Sequence, residues 1–262
     1  MVRAPRFANS PGGAGARKLG PCLLSSGIVA AVFDHVTIRV SDPEASERFY
    51  DTVLSAVGSE WNDFYLLEAD QETPVTRGLH IGFGVPSREL VDAFWRAGTE
   101  AGCESDGEPG PRPEYADDYY GGFLLDPDGN SVEAVHFEGA LTGAIDHLWI
   151  RVADVAASKG FYETIAPHAR FGISTDTPER VSFVGQAGSF SVLSGDHVTE
   201  NLHMAFPASE NQAVDDFHQA AIEAGHRDHG TPGERPDYHP GSYAAFVLDP
   251  DGNNIELVNH NR

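Results

Sequence analysis

The stretch Phe33-Asp34-His35-Val36-Thr37-Ile38-Arg39-Val40 returns 112 residues later as Ile145-Asp146-His147-Leu148-Trp149-Ile150-Arg151-Val152. Downstream of each, Leu79-His80 matches Leu202-His203 at an offset of 123. Between Pro109 and Glu133 that offset holds, with 14 of 25 positions identical, far above chance. The chain is thus a tandem duplication, and a repeat of this length sets the architecture before any single motif does. The copies span residues 32–137 and 145–262, joined by a linker over 138–144. The change of offset places an 11-residue deficit in the first copy, between Leu54 and Leu79.

Each copy divides again. His35 opens an alternating strand through Val40. Asp42-Pro43 then reads as an N-cap and first turn, with Ala45, Phe49, Val53 and Leu54 as the apolar helix face. A second strand runs from Leu79 to Val85. Its helix, from about Ser87 to Gly102, carries the stripe Leu90, Val91, Phe94 and Ala97. Strand, helix and further strands therefore occur twice per copy, as βαβββ units that need a partner to bury their sheets. The last hairpin is the clearest: Asp126-Pro127-Asp128-Gly129-Asn130 is a turn, with Pro fixing φ and Gly accepting a positive one. It sets the register of Glu133, and its second copy that of Glu256.

The bulk numbers remove several classes. A net charge of -23 argues against nucleic acid as a partner. It also means that a pocket for an anion must supply its own local cations. No apolar run approaches the roughly 20 residues of a membrane span. Two cysteines, Cys22 and Cys103, make neither a disulfide framework nor a thiolate metal site, and fit a reducing cytoplasmic setting. Residues 1–31, basic and rich in Gly, Pro, Ala and Ser, are expected to be a disordered tail. A secretory signal with Cys22 to Ala31 as its apolar part, or a transit peptide, is the weaker reading.

Three residues per copy carry chemistry: His35, His80 and Glu133, then His147, His203 and Glu256. Each His begins a strand that leads into a helix. Each Glu sits among apolar neighbours, where a carboxylate without a partner is costly to bury. Two imidazoles and one carboxylate with open positions suit a divalent metal, Fe2+, Mn2+, Zn2+ or Ni2+. The natural grouping is one triad per copy.

The strand-opening His, the second His, and Asp-Pro-Asp-Gly-Asn followed by Glu resemble the vicinal-oxygen-chelate superfamily. That group includes glyoxalase I, extradiol dioxygenases and bleomycin-resistance proteins. The resemblance implies an α+β fold of two tandem domains, each of paired βαβββ units forming an open barrel-like sheet with a central cavity. It implies a divalent-metal enzyme acting on a small oxygen-chelating substrate by dioxygenase, isomerase or lyase chemistry. The alternative it offers is a bleomycin-resistance-like protein that sequesters a small molecule. Two departures matter. Glyoxalase I would supply an acidic ligand on the strand before the second His, but Ser189-Phe190-Ser191-Val192-Leu193 has none, and in the first copy only Glu68 is nearby. The extradiol signature has a Tyr three residues before Asp-Pro, where this chain has Phe123 and Phe246.

Strand parity adds pocket candidates. Arg39 and Arg151 share faces with His35 and His147 and are candidates to clamp a substrate oxygen. Tyr238 and His239, in the segment before the final hairpin, read as rim donors; Ala116 stands where the second copy has His239. His260 lies at the tail and is discounted. The full-length wall and His239 point to the second copy as the working site. With both copies on one chain, a monomer with an internal pseudo-twofold, or a homodimer, is expected.

Overall fold

The computed structural model describes residues 31–59 and 63–261. All but the last residue of the expected N-terminal tail lies outside these. The first unit comprises β1 (His35–Val40), α1 (Pro43–Ser55) and β2 (Phe64–Glu68). The second comprises β3 (Leu79–Gly84), α2 (Arg88–Glu100), β4 (Ser105–Pro111), β5 (Tyr120–Leu125) and β6 (Ser131–His136). The third comprises β7 (Ile145–Val152), α3 (Val155–Ala169), β8 (Gly172–Asp176), β9 (Arg180–Val184) and β10 (Ser189–Ser194). The fourth comprises β11 (His203–Pro207), α4 (Asn211–Glu223), β12 (Arg227–Glu234), β13 (Tyr243–Leu248) and β14 (Asn254–Asn259). Among the described residues, the first copy has one strand where the second has β8, β9 and β10, which accounts for the 11-residue deficit.

The caps read from sequence are present. Asp42 begins α1 and accepts from the Ala45 amide, and Asp154 does the same for α3 through Ala156 and Ala157. Such a cap contributes about 1 kcal/mol. Ser87 precedes α2 without a side-chain cap bond.

The units pair across the copies. One sheet has eight strands in the order β4-β5-β6-β3-β7-β10-β9-β8, and the other six in the order β12-β13-β14-β11-β1-β2. The joints are antiparallel: β3 of the first copy with β7 of the second, and β11 with β1. The expected pairing of units is thus met with partners exchanged between copies. Two glycines suit β3 to this role. A Cβ on Gly82 would lie 2.3 Å from the His147 ring, and one on Gly84 would strike the carbonyl of linker residue Leu141. The linker docks there through Gly143 N to Gly84 O and Gly84 N to Ala144 O.

Within a copy, the units are joined at the Asp-Pro-Asp-Gly-Asn turn. Tyr50 on α1 donates to Asp126, Ser41 donates to Asp128, and the Leu79 amide donates to Asn130 Oδ1. The turn is a clamp between units as well as a hairpin. Asp249 repeats it under Tyr162, and burial raises its carboxyl to about 6. One continuous apolar core runs through both copies. Phe33 reaches Phe190 and Phe206 from the opposite copy at 6.1 and 6.0 Å between ring centroids. Among the described residues, no helix is long and apolar enough to cross a membrane.

Candidate metal centres

Strand register decides which ligands meet. In the eight-stranded sheet, His147 on β7 lies opposite Gly82 on β3, which lies opposite Glu133 on β6. Lateral neighbours share a face, so both side chains lean over the bare Gly82 position. Two residues back along β3, on the same face, His80 lies beside Trp149 on one side and Ser131 on the other. The six-stranded sheet repeats the pattern: His35 lies opposite Ala205 and then Glu256, with His203 beside Thr37 and Asn254.

The triads are therefore His80, Glu133, His147 and His35, His203, Glu256. This corrects the grouping of one triad per copy. β1 is hydrogen-bonded to β11 and not to β3, so His35 cannot reach His80. Each centre takes its strand-opening His from the other copy.

In the first centre, His80 Nε2 lies 3.1 Å from Glu133 Oε2 and 3.2 Å from His147 Nε2, and His147 Nε2 lies 3.3 Å from the same carboxylate oxygen. All three residues are buried. The outer nitrogens are held: His147 Nδ1 by Asp146 Oδ2 at 2.9 Å, and His80 Nδ1 by Ser131 Oγ at 3.1 Å, which in turn donates to Asp106. A proton on each Nδ1 leaves the Nε2 lone pair facing inward, which is how metal-bound imidazoles are oriented. Tyr119 donates to both oxygens of Glu133, at 2.9 and 3.0 Å. Its ring stacks on Phe137 with an interplanar angle of 6°. A Cβ on Gly121 would collide with Glu133 Oε1, so the carboxylate occupies space that only glycine leaves free.

The electrostatics follow from this packing. Burial opposes the charged form of His147, but Asp146 and Glu133 outweigh it and raise its pKa to about 9. Burial likewise opposes the Glu133 carboxylate, and the two imidazoles overcome it and lower the pKa to about 2. His80 is lowered by burial. Burial beside Glu133 pushes the Tyr119 phenol far above its usual range, so it remains a proton donor.

In the second centre, His203 Nε2 lies 3.0 Å from Glu256 Oε2 and 3.2 Å from His35 Nε2, and the third side is 3.6 Å. Asp34 holds His35 Nδ1 at 2.8 Å, as Asp146 holds His147. His35 is raised, burial being outweighed by Asp34 and Glu256, whereas burial lowers His203. Asn254 stands where Ser131 does, with its Nδ2 placed 2.7 Å from His203 Nδ1 and its Oδ1 without a partner. Exchanging the two ends of that amide satisfies Oδ1 and puts the proton on Nδ1. Ser242 replaces Tyr119, and its buried hydroxyl reaches nothing. Glu256 is fully buried, and neither of its oxygens has a hydrogen bond of acceptable geometry. A cation is what this carboxylate lacks, and the two imidazoles beside it are the donor set that would share one. Both triads fit a divalent metal.

The other candidates are placed as follows. His239 does not touch the triad: its Nε2 is 2.7 Å from His260 Nδ1, and His260 Nε2 is 2.7 Å from Asp34, which holds His35. The discounted His260 is thus the link between the rim and the second centre. Tyr238 packs against the small cluster of Ala205, Ala244, Phe246 and Val258, and burial, helped by the charge of Glu256, raises its pKa. Arg151 donates to the Gly78 carbonyl at 3.0 Å, and Arg39 to the Glu68 carbonyl at 3.4 Å.

The sequence reading missed Tyr119, Asp34 and Asp146. The aspartates were visible in the repeated Asp-His pairs. Tyr119 was within the rim segment, but Ser242 in the second copy hid it from a search for matched residues. The long wall on which the expectation for the second copy partly rested, β10-β9-β8, continues from β7 and so flanks the His80, Glu133, His147 centre.

No protein-family model and no curated protein matches the chain. Solved structures do. Glyoxalase I from Zea mays superposes with a TM-score of 0.63 at 18% identity, covering 87% of this chain and 92% of that one. A point variant of the same enzyme gives 0.64, with the same identity and coverage. A "putative dioxygenase" from Bacillus subtilis gives 0.58 at 13% identity, covering 88% of this chain and 85% of that one. Identities this low speak to fold alone, and they show that the chain shares the fold of glyoxalase I, with both copies on one polypeptide.

Proposed function

We propose that the chain is a divalent-metal-dependent enzyme acting on a small substrate that presents two neighbouring oxygens, by dioxygenase, isomerase or lyase chemistry. Its working centre is His80, Glu133 and His147. The observation that carries this reading is the convergence of two Nε2 atoms and one carboxylate oxygen within 3.3 Å of one another in a buried site. When bound, a divalent ion supplies Lewis-acid stabilisation of charge developing on substrate oxygens. The chain's residues do the rest. Asp146 and Ser131 fix the imidazoles, and Tyr119 holds Glu133 while keeping its own proton. Trp149 and Phe123, with ring centroids 4.9 and 5.9 Å from that of His80, form an aromatic wall beside the triad.

The same aromatic wall suits simple sequestration of a planar molecule, the second reading. The two part on turnover: a sequestering protein returns its ligand unchanged.

Metal analysis of protein purified without chelator tests the first reading. The two triads predict up to two equivalents. Glu133→Gln should remove about half, and adding Glu256→Gln should remove most of the remainder. Unchanged metal content in the double variant overturns the assignment.

A further inference from the structure

Arg180 sits on β9, in the wall that flanks the first centre. Its Nε lies 3.1 Å from Ser182 Oγ and 3.2 Å from Ser191 Oγ, and its Nη2 lies 3.0 Å from Ser191 Oγ. Its guanidinium lies 5.0 Å from the centroid of the Trp149 ring. Its side-chain partners among the described residues are these serines and Trp149, with no carboxylate among them. A guanidinium has five N–H donors in a planar fork matched to a carboxylate. The serine contacts engage Nε and Nη2 and leave Nη1 without a partner among the described residues.

The register puts this cation on the metal side of the sheet. Ser182 lies opposite Ser191, Ser191 opposite Trp149, and Trp149 opposite His80. These four residues form one lateral row on one face, and the Arg180 side chain folds back onto it. Tyr115 closes the row with its ring at 5.2 Å and 82° to Trp149. The cation and the triad are thus two ends of one aromatic-walled surface. The corresponding row at the second centre differs: β2 is the edge of its sheet, Tyr65 lies where Ser191 does, edge-on to His35, and the nearby arginine, Arg235, stacks on Phe246.

We propose that Arg180, held by Ser182 and Ser191 and backed by Trp149, is a specificity-determining residue that binds the carboxylate of a planar substrate whose oxygens are presented to the His80, Glu133, His147 centre. The substrate class is therefore a planar, aromatic or conjugated carboxylate. The long wall of the second copy exists to supply this cation, which an acidic protein must provide locally if it is to take an anion. This rests on the first centre being the working one.

The test uses the full chain, stripped of metal, and two matched probes observed by fluorine NMR: 4-fluorobenzoate and 4-fluorobenzamide. They share a ring and differ in charge. The wild type should bind the benzoate at least about tenfold more tightly than the amide, the scale of a hydrogen-bonded charge pair. Arg180→Gln should abolish that preference while leaving amide binding unchanged. Arg180→Lys should keep part of it, having the charge without the fork. Unchanged melting and circular dichroism in both variants establish that they fold. Equal affinity for both probes in the wild type, or an undiminished preference in Arg180→Gln, overturns the proposal. A metal-loaded arm separates it from the functional reading. There, 3,4-dihydroxybenzoate should exceed catechol by a similar factor in the wild type but not in Arg180→Gln. If Glu133→Gln loses neither metal nor catechol binding, the metal centre is wrong while the metal-free result on Arg180 stands.

Discussion

Replacing Tyr119 with Phe removes one oxygen and leaves the ring that stacks on Phe137 in place. That oxygen donates to both oxygens of Glu133, at 2.9 and 3.0 Å, inside a buried site. Hydrogen bonds to charged groups contribute about 1.5–3 kcal/mol. Loss of a group that orients a metal ligand typically lowers affinity by about 10–100-fold, or about 1.4–2.7 kcal/mol, so the two scales agree. The duplicated chain contains its own control. At the second centre the counterpart is Ser242, whose hydroxyl does not reach Glu256. Titration of metal-free protein with zinc against a chromophoric chelator should resolve two sites. Tyr119→Phe should weaken one by about 10–100-fold and leave the other unmoved. The metal-free variant should also melt several degrees lower, since about 1 kcal/mol shifts a protein of this size by roughly 2–4 °C. Unchanged affinities, or equal loss at both sites, would refute the role given to Tyr119.

Other expectations follow from the same geometry. Metal must displace the proton that Asp146 and Glu133 hold on His147, whose pKa is raised to about 9, so affinity at the first centre should rise about tenfold per pH unit up to that value; a flat pH profile with no proton release counts against it. In metal-free protein a raised imidazole stabilises the fold at low pH and the effect is lost as pH rises through about 9. Glu133, lowered to about 2, stabilises above the usual carboxylate range and the effect is lost as pH falls through about 2. Melting temperature against pH should show both edges. Gly82→Ala puts a Cβ 2.3 Å from the His147 ring, and should cost about 1–3 kcal/mol and disable the first centre alone, Ala205 already occupying that place at the second; a functional first centre in that variant would mean His147 does not lean over Gly82. With a substrate in hand, His80→Ala should remove nearly all activity and His203→Ala should spare most, and the reverse ranking would place the chemistry in the shorter-walled site.

Much of the fold was legible because the duplication is recent enough to leave Asp-Pro-Asp-Gly-Asn and the Asp-His strands intact in both copies. Periodicity found the strands and helices, and Asp42 and Asp154 marked helix starts through local chemistry. What could not be read was which unit pairs with which. Every unit opens with a strand of similar pattern, so β1 is as plausible a neighbour for β3 as for β11 on hydrophobicity alone. The deciding features are small: Gly82 and Gly84 against Ala205 and Pro207, and a linker that docks on β3. The six candidate ligands therefore do come together in two clusters, but grouped differently from the one triad per copy read from the sequence.

The departures between the two centres share a cause. Where the first has Ala116, Tyr119 and Phe137, the second has His239, Ser242 and His260, and the three positions are in contact in each. Tyr119 lies on Phe137 and bonds Glu133, whereas His239 stacks on His260 and the pair bonds Asp34. The exchange moves the polar contact from the carboxylate ligand to the aspartate behind a histidine ligand. One position cannot change alone: a Tyr at Ser242 would need the space and the apolar face that Phe137 provides and His260 does not. The two candidate centres are thus supported differently, and the one flanked by β9 has Arg180 on its side of the sheet.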